Sequence, residues 1–239
     1  MKNPIWILAG FLGDESQLGA FPSDLAKHTG VIPEVIDWKK ITDGAKSLDE
    51  GARFLAQFAL SCGTRPVLVG YSMGGRLSLA SVLAAPGAFS GAVAISAHPG
   101  LSSEEEKAQR LKDDLVWSEL LTDNQAVFWK RWLAQPVFAG SSEAQVNLST
   151  EEAHQWAKVL RAFSTGGQDY MPALLDDPRL PPILSVVGSR DEKYLTLQKR
   201  YPQKVEKMII DGGHRLPLDA SHALAQAIAP FIRKTQEIL

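Results

Sequence analysis

A serine between two glycines is the strongest chemical signal in this sequence. Gly-Tyr-Ser-Met-Gly occupies positions 70–74, after the apolar run 66–69, which is typical of a buried strand, and before an apolar run typical of a helix. A sharp strand-to-helix turn needs small residues two positions either side of its serine, because the adjoining backbone comes too close for side chains there. The spacing predicts that Ser72 is a reactive serine on such a turn. The short pattern also arises by chance, so further residues must support it.

An aspartate and a histidine downstream can complete a proton-transfer chain with this serine. Asp191 follows the apolar run 182–188, and His214 follows the apolar run 205–210 and an Asp-Gly-Gly turn. The carboxyl ends of parallel strands share one sheet edge, so these side chains can meet Ser72 although they lie far away in sequence. Their order along the chain is that of the α/β-hydrolase triad. Asp211 remains a competing candidate for the acid.

The loop after the first predicted strand can supply the electrophilic half of the site. Residues 5–8 read as a strand, and Ala-Gly-Phe-Leu-Gly follows at positions 9–13. In the α/β-hydrolase pattern such a loop offers one backbone N–H to the reacting oxygen, and the residue after the nucleophile offers another. These donors would be Phe11 and Met73. Many relatives carry His-Gly where this chain has Ala9-Gly10, a change that keeps the backbone donor.

Predicted strands and helices alternate along the chain, which indicates an α/β fold with a mostly parallel sheet flanked by helices. A charged and aromatic helical stretch interrupts this order after the strand near 93–96, and strand pattern returns only at Ile183. We interpret the insertion as a helical cap over the carboxyl ends of the strands, where ligands bind in open α/β sheets. Residues 1–100 and 170–239 would form the core and residues 101–169 the cap, as a single structural unit.

Composition restricts the classes of partner. The chain has 239 residues, 45% of them hydrophobic, and a formal net charge of −2. This charge argues against a nucleic-acid or anionic-membrane surface, and no apolar run reaches the roughly 18 residues of a membrane span. Cys62 is the only cysteine, which rules out an intrachain disulfide and fits a cytoplasmic protein. The five histidines are scattered, so we expect no metal site.

Three further segments give the chain a specific resemblance. They are an arginine four residues after the serine, His-Pro-Gly-Leu at 98–101 with the Glu-rich helix that follows, and Trp-Leu-Ala-Gln-Pro-Val-Phe at 132–138. With these segments the chain resembles the 2-succinyl-6-hydroxy-2,4-cyclohexadiene-1-carboxylate synthases of menaquinone biosynthesis. The resemblance extends from the Gly-Phe-Leu-Gly loop to His214. The serine motif is shared by the whole superfamily, and the other segments are more discriminating.

The resemblance implies an elimination on a small anionic substrate, without metal or cofactor. The substrate would be a cyclohexene with several carboxylates and an enolpyruvyl ether, from which a ring proton is removed and pyruvate is expelled. His214, oriented by Asp191, would raise the basicity of Ser72. By family position, Arg76 and Arg110 would bind carboxylates, and Tyr71 and Trp132 would form pocket walls.

Other roles remain open for these residues. Arg76 could serve its own helix, Arg110 could pair with Glu106 or Asp114, and Trp132 could be part of the cap core. The family commonly has another cap arginine where this chain has Leu148 or a neighbour, and Arg161 lies farther on. A serine carboxylesterase or thioesterase is therefore the alternative function, and a non-catalytic binding protein is a third.

Overall fold

Six parallel strands form one sheet in the computed structural model, which describes residues 2–13, 15–141 and 146–237. The strand order is β2-β1-β3-β4-β5-β6. Their bounds are β1 Ile5–Leu8, β2 Glu34–Val35, β3 Val67–Tyr71, β4 Gly91–Ile95, β5 Ile183–Gly188 and β6 Glu206–Ile210.

Alternating side chains divide the core between the two faces of this sheet. Trp6 and Leu8 of β1 pack into a cluster on one face, whereas Ile5 and Ile7 pack into a cluster on the other. Successive side chains of a strand point to opposite faces, and a parallel sheet covered on both faces needs apolar residues in both sets. This explains why the strand sequences read as continuous apolar runs.

Helices cover both faces. The helices are α1 Phe21–Thr29, α2 Trp38–Ile41, α3 Leu48–Ser61, α4 Met73–Ala84, α5 Glu104–Asp123, α6 Gln125–Leu133, α7 Thr150–Ala162, α8 Glu192–Gln198, α9 Leu216–Asp219 and α10 Ser221–Glu237. Contacts between α3 and α4 dominate one face, and contacts between α1 and α10 the other. None of the helices in the described ranges is both long and apolar enough to cross a membrane.

The strand order reverses between β1 and β3, and this reversal positions the site. The chain leaves β1 toward β2 on one side and then returns to form β3 on the other side of β1. Open α/β sheets bind ligands beyond the carboxyl ends of the strands at such a switch point. The loop with Phe11 and the turn with Ser72 both leave the sheet here.

The insertion between β4 and β5 contains α5, α6 and α7 with a 3-10 helix at Pro136–Phe138. Each of the three helices begins with a polar side chain that accepts a backbone N–H: Ser103, Asn124 and Ser149. For α7 this is a capping box, because the Glu152 side chain also accepts the N–H of Ser149. These caps fix the helix starts within a segment whose first helix has little apolar character.

The predicted α/β architecture is confirmed, with one local correction. The apolar run at residues 31–36 also predicts a strand, but only Glu34–Val35 forms one, and it pairs with Trp6 and Ile7 of β1. Pro33 has no N–H to donate to a ladder, and Ile32 before it is 88% exposed. An edge strand that begins after a proline is necessarily short here.

Candidate active site

Ser72 lies on a strained turn between β3 and α4. Its backbone has φ 52° and ψ −110°, a conformation that residues other than glycine rarely adopt. A Cβ on Gly70 would lie 2.3 Å from the carbonyl oxygen of Gly74, and a Cβ on Gly74 would lie 2.3 Å from the carbonyl oxygen of Leu8. Both glycines are therefore required by close backbone approach, as the spacing of the motif predicts.

The structure brings Ser72, His214 and Asp191 together. His214 Nε2 is 3.4 Å from Ser72 Oγ, and His214 Nδ1 is 2.7 Å from Asp191 Oδ2. Both His214 and Asp191 are buried. A long serine–histidine contact is common in unliganded sites and shortens when substrate binds. The arrangement can take a proton from Ser72 or from a substrate carbon beside it.

Asp211 is not near the histidine ring. It accepts a hydrogen bond from Ser189 Oγ at 3.0 Å and forms an ion pair with Arg190. Its side chain is 84% exposed. Asp191, in contrast, is the N-cap of α8 and accepts the Tyr194 N–H at 3.4 Å. The cap and the histidine contact use different carboxylate oxygens, so the helix start holds the acid in place.

Phe11 and Met73 flank the serine as expected of the two amide donors. Phe11 lies on the turn after β1, and its ring packs 5.2 Å from that of Trp132. Met73 is the first residue of α4. The loop is anchored from outside, because the Trp38 indole N–H donates to the Ala9 carbonyl at 3.2 Å. This hydrogen bond stabilises the loop after β1, in which Ala9 stands where many relatives have histidine. Donation by the two amides to an oxyanion stays a prediction.

Ser72 opens onto a small aromatic cleft of about 40 Å³. Tyr71 and Trp132, the two residues predicted to be walls, both line it. Arg215 lies over the Phe138 ring at 4.5 Å from its centroid, and both residues also line the cleft. Burial raises the pKa of the Tyr71 phenol, so this wall stays uncharged.

A cavity of about 730 Å³ shares the Trp132 wall with this cleft. Its lining comes from the entry to the inserted segment, from α5 and the end of α6, and from α8. Both basic and acidic side chains line this cavity. Its charged lining residues are Glu106, Arg110, Asp113, Asp114, Lys193 and Arg200.

Arg110 lines this cavity, as the resemblance implies, but it is already paired. Its Nε donates to Asp114 Oδ2 at 2.8 Å, and Asp114 is 1% exposed. The ion pair along α5 is the alternative role left open above. The two roles are compatible, because a guanidinium has five N–H donors and the Arg110 side chain keeps 34% of its surface exposed.

Arg76, which the resemblance implies is a carboxylate ligand, is bound by groups of the protein itself, and its binding of substrate stays a prediction. Its guanidinium donates to Gln168 Oε1 at 2.8 Å and to the Phe163 carbonyl at 2.7 Å. Gln168 in turn donates to the His98 carbonyl at 3.2 Å. Arg76 is not among the described residues that line the cleft or the cavity. Burial lowers its pKa to about 10, so it still carries its charge at neutral pH.

The two positions considered for a further arginine do not supply one to the cavity. Arg161 Nη1 donates to Ser118 Oγ at 3.2 Å, and Leu148 packs against the core as a partly buried apolar residue. Neither residue is part of the described cavity lining.

His98 and Tyr194 have roles that the sequence did not reveal. His98 Nδ1 accepts the Gly100 N–H at 3.0 Å, and burial lowers the pKa of His98 to about 3, so its ring is neutral. The Tyr194 ring packs against His214 with centroids 4.5 Å apart. The only sequence signal for Tyr194 was its place three residues after Asp191. Among the residues that the structure describes, no three histidine, cysteine or acidic side chains are grouped to hold a metal.

Comparisons with known proteins agree with the fold. The model of the alpha/beta hydrolase family matches residues 8–227. The structure of MenH from S. aureus superposes with a TM-score of 0.79 at 21% identity, covering 99% of this chain and 96% of that one. A thermophilic esterase from Thermogutta terrifontis superposes with a TM-score of 0.72 at 20% identity, covering 98% and 90% of the two chains. At these identities the two structures support the fold alone.

Proteins of similar sequence identify the family more narrowly than the structural matches do. A 2-succinyl-6-hydroxy-2,4-cyclohexadiene-1-carboxylate synthase from Citrobacter koseri is 31% identical over 176 residues, which are 70% of this chain and 68% of the relative. The protein of that name from Escherichia coli O1:K1 is 32% identical over 136 residues. That match spans only 54% of the relative's length. The chain therefore belongs to the alpha/beta hydrolase family and, within it, to the family of these synthases.

Proposed function

We propose that the protein eliminates pyruvate from a succinyl-enolpyruvyl-hydroxycyclohexene carboxylate and so forms the cyclohexadiene of menaquinone biosynthesis. The observation that carries the proposal is the Ser72–His214–Asp191 chain beside a cavity with charged walls, in a chain 31% identical to a synthase of that name. The exposed Cys62, the only cysteine, fits the reducing cytoplasm as the place of the reaction.

In this reaction Ser72 and His214 act as a base. Asp191 accepts a hydrogen bond from the Nδ1–H of His214, which leaves Nε2 unprotonated and able to take the proton of Ser72. The serine oxygen then takes the ring proton, directly or by relay. The C–H electron pair passes into the ring double bonds as the C–O bond to the enolpyruvyl group breaks, and the departing enolate takes up a proton on carbon to become pyruvate. The amides of Phe11 and Met73 stabilise the negative charge that develops on a carboxylate or enolate oxygen.

Ester hydrolysis by the same triad is the alternative, and the lining of the serine cleft favours it. Besides Tyr71, four aromatic side chains face the small space at Ser72, an environment that suits an apolar acyl group: Phe11, Trp129, Trp132 and Phe138. In that case Ser72 would be acylated rather than act as a base.

The two functions are separated by what the purified protein releases. We expect stoichiometric pyruvate from the succinyl-enolpyruvyl precursor, with the absorbance of a conjugated cyclohexadiene, and no covalent adduct on Ser72 by mass spectrometry. Ester turnover should be weak in comparison, and Ser72→Ala should lower pyruvate release about 10²- to 10⁴-fold. Efficient cleavage of a simple ester with a burst of alcohol, together with no pyruvate, would establish the hydrolase instead.

A further inference from the structure

One face of α8 brings two cations to the large cavity. Lys193, Thr196, Leu197 and Arg200 all line it. Their spacing of three, four and seven residues places them on one side of a helix. Arg200 lies in the turn that continues α8, with its N–H donating to the Leu197 carbonyl at 3.0 Å. The two cations are therefore about two helical turns apart, a rise of roughly 10 Å.

Within the described residues these cations differ from Arg110 in having no ion pair. Arg110 is bound by Asp114, whereas no carboxylate in the described part of the chain lies within 4.0 Å of the Lys193 or Arg200 nitrogens. Of the other acids in the lining, Asp113 accepts a hydrogen bond from Gln109 at 2.8 Å, and Glu106 lies on α5.

The electrostatic surroundings of Lys193 connect this face to Arg110. Partial desolvation and then the charge of Arg110 lower the pKa of the Lys193 ammonium, while Asp191 raises it. Lys193 and Arg110 thus repel each other across the same space. An anion between them would be attracted by both, and its binding would relieve this repulsion.

We propose that Lys193 and Arg200 bind carboxylates of the substrate and determine the specificity of the enzyme for ligands that carry two or more of them. The inference rests on the proposed function for the identity of the substrate. Thr196 adds a hydroxyl donor between the two cations. A ligand that contacts both Lys193 and Arg200 must fit within this cavity. Its volume of about 730 Å³ is large enough for a substituted six-membered ring.

This binding face is rigidly linked to the triad. The helix that carries it begins at Asp191, and its Tyr194 packs against the His214 ring. Carboxylates held along α8 are therefore held at a fixed distance from the base.

The test compares Lys193→Met and Arg200→Met with Lys199→Met, which removes an exposed cation next to the same helix but outside the cavity lining. Steady-state pyruvate release gives kcat and KM for each. We expect KM to rise about tenfold to a hundredfold in the two cavity variants, with kcat within about threefold, because a charge-assisted bond to bound substrate is lost. Lys199→Met should match the wild type.

Calorimetric titration with phthalate, a cyclic dicarboxylate, makes the test independent of turnover. Its dissociation constant should rise by a similar factor in the two cavity variants and stay unchanged in Lys199→Met. If the wild type releases no pyruvate but phthalate affinity still depends on Lys193 and Arg200, the carboxylate site stands and the proposed reaction fails. The inference is overturned if both cavity variants match Lys199→Met in KM or, without pyruvate release, in phthalate affinity.

Discussion

At the residue scale, the chemistry of the site is set by which polar groups are buried together. His214 lies between Ser72 and Asp191, while Asp211 is held at the surface by Arg190. The strand-end positions of Ser72, Asp191 and His214 could be read from sequence, because parallel strands bring their carboxyl ends to one edge. The choice between Asp191 and Asp211 as the acid could not be read from sequence, because it depends on the direction of the loops after β5 and β6.

Exchanging each aspartate for asparagine separates their roles. Asp191→Asn should lower kcat about 10³- to 10⁴-fold without unfolding the protein, because the acid fixes the imidazole tautomer. Asp211→Asn should stay within about twofold, since an exposed ion pair contributes little. Steady-state kinetics with thermal melting measures both. A larger loss for Asp211→Asn would mean that the acid is misassigned.

His98 gives the protein a specific dependence of stability on pH. Its folded pKa of about 3 is below the ordinary 6.5 of an unfolded histidine, so only the unfolded state gains this proton between those values. The free energy of unfolding should therefore fall as pH drops through that window, by about 1.4 kcal/mol per pH unit from this group. His98→Asn, which keeps an acceptor for the Gly100 N–H, should remove that part of the slope. Equal slopes in urea titrations of the two proteins between pH 6 and 4 would refute the assignment.

At the element scale, the turn between β3 and α4 is the feature on which the site depends. The glycine spacing made this turn predictable, because the steric requirement is local. The shortening of β2 was harder to foresee, since an apolar run around Pro33 looks like a strand until its pairing is known. The cations of this helix face were missed as well, because Lys193 on a seven-residue helix and Arg200 in the turn after it cannot be assigned a role before the cavity that they line is seen.

Replacing Gly74 with alanine tests how closely the backbone packs at this turn. Gly74→Ala places a methyl group 2.3 Å from the Leu8 carbonyl oxygen, so the backbone must shift, at a cost of about 1–3 kcal/mol or more in stability, with loss of activity. Gly87→Ala is the control, because a Cβ there meets nothing within 4 Å. Thermal unfolding of both variants is the measurement. A Gly74→Ala protein as stable and active as the control would contradict the packing described.

At the scale of the whole molecule, a buried network joins the sheet core to the inserted helices. Arg76 on α4 reaches the Phe163 carbonyl and Gln168, and Gln168 reaches His98. The resemblance implies that Arg76 binds substrate, which stays a prediction, and packing directs its guanidinium to the segment after α7. The direction of a long side chain depends on contacts made by residues about ninety positions away, which no local pattern contains.

The central claim is that Ser72 and His214 act as one proton-transfer unit in pyruvate elimination. Pyruvate release by Ser72→Ala, His214→Ala and the double variant tests this most directly. Each single variant should lose about 10²- to 10⁴-fold in kcat/KM, and the double variant should be no slower than the slower single one, because either change already removes the unit. Losses that multiply in the double variant would show that the two residues act independently and would contradict this account.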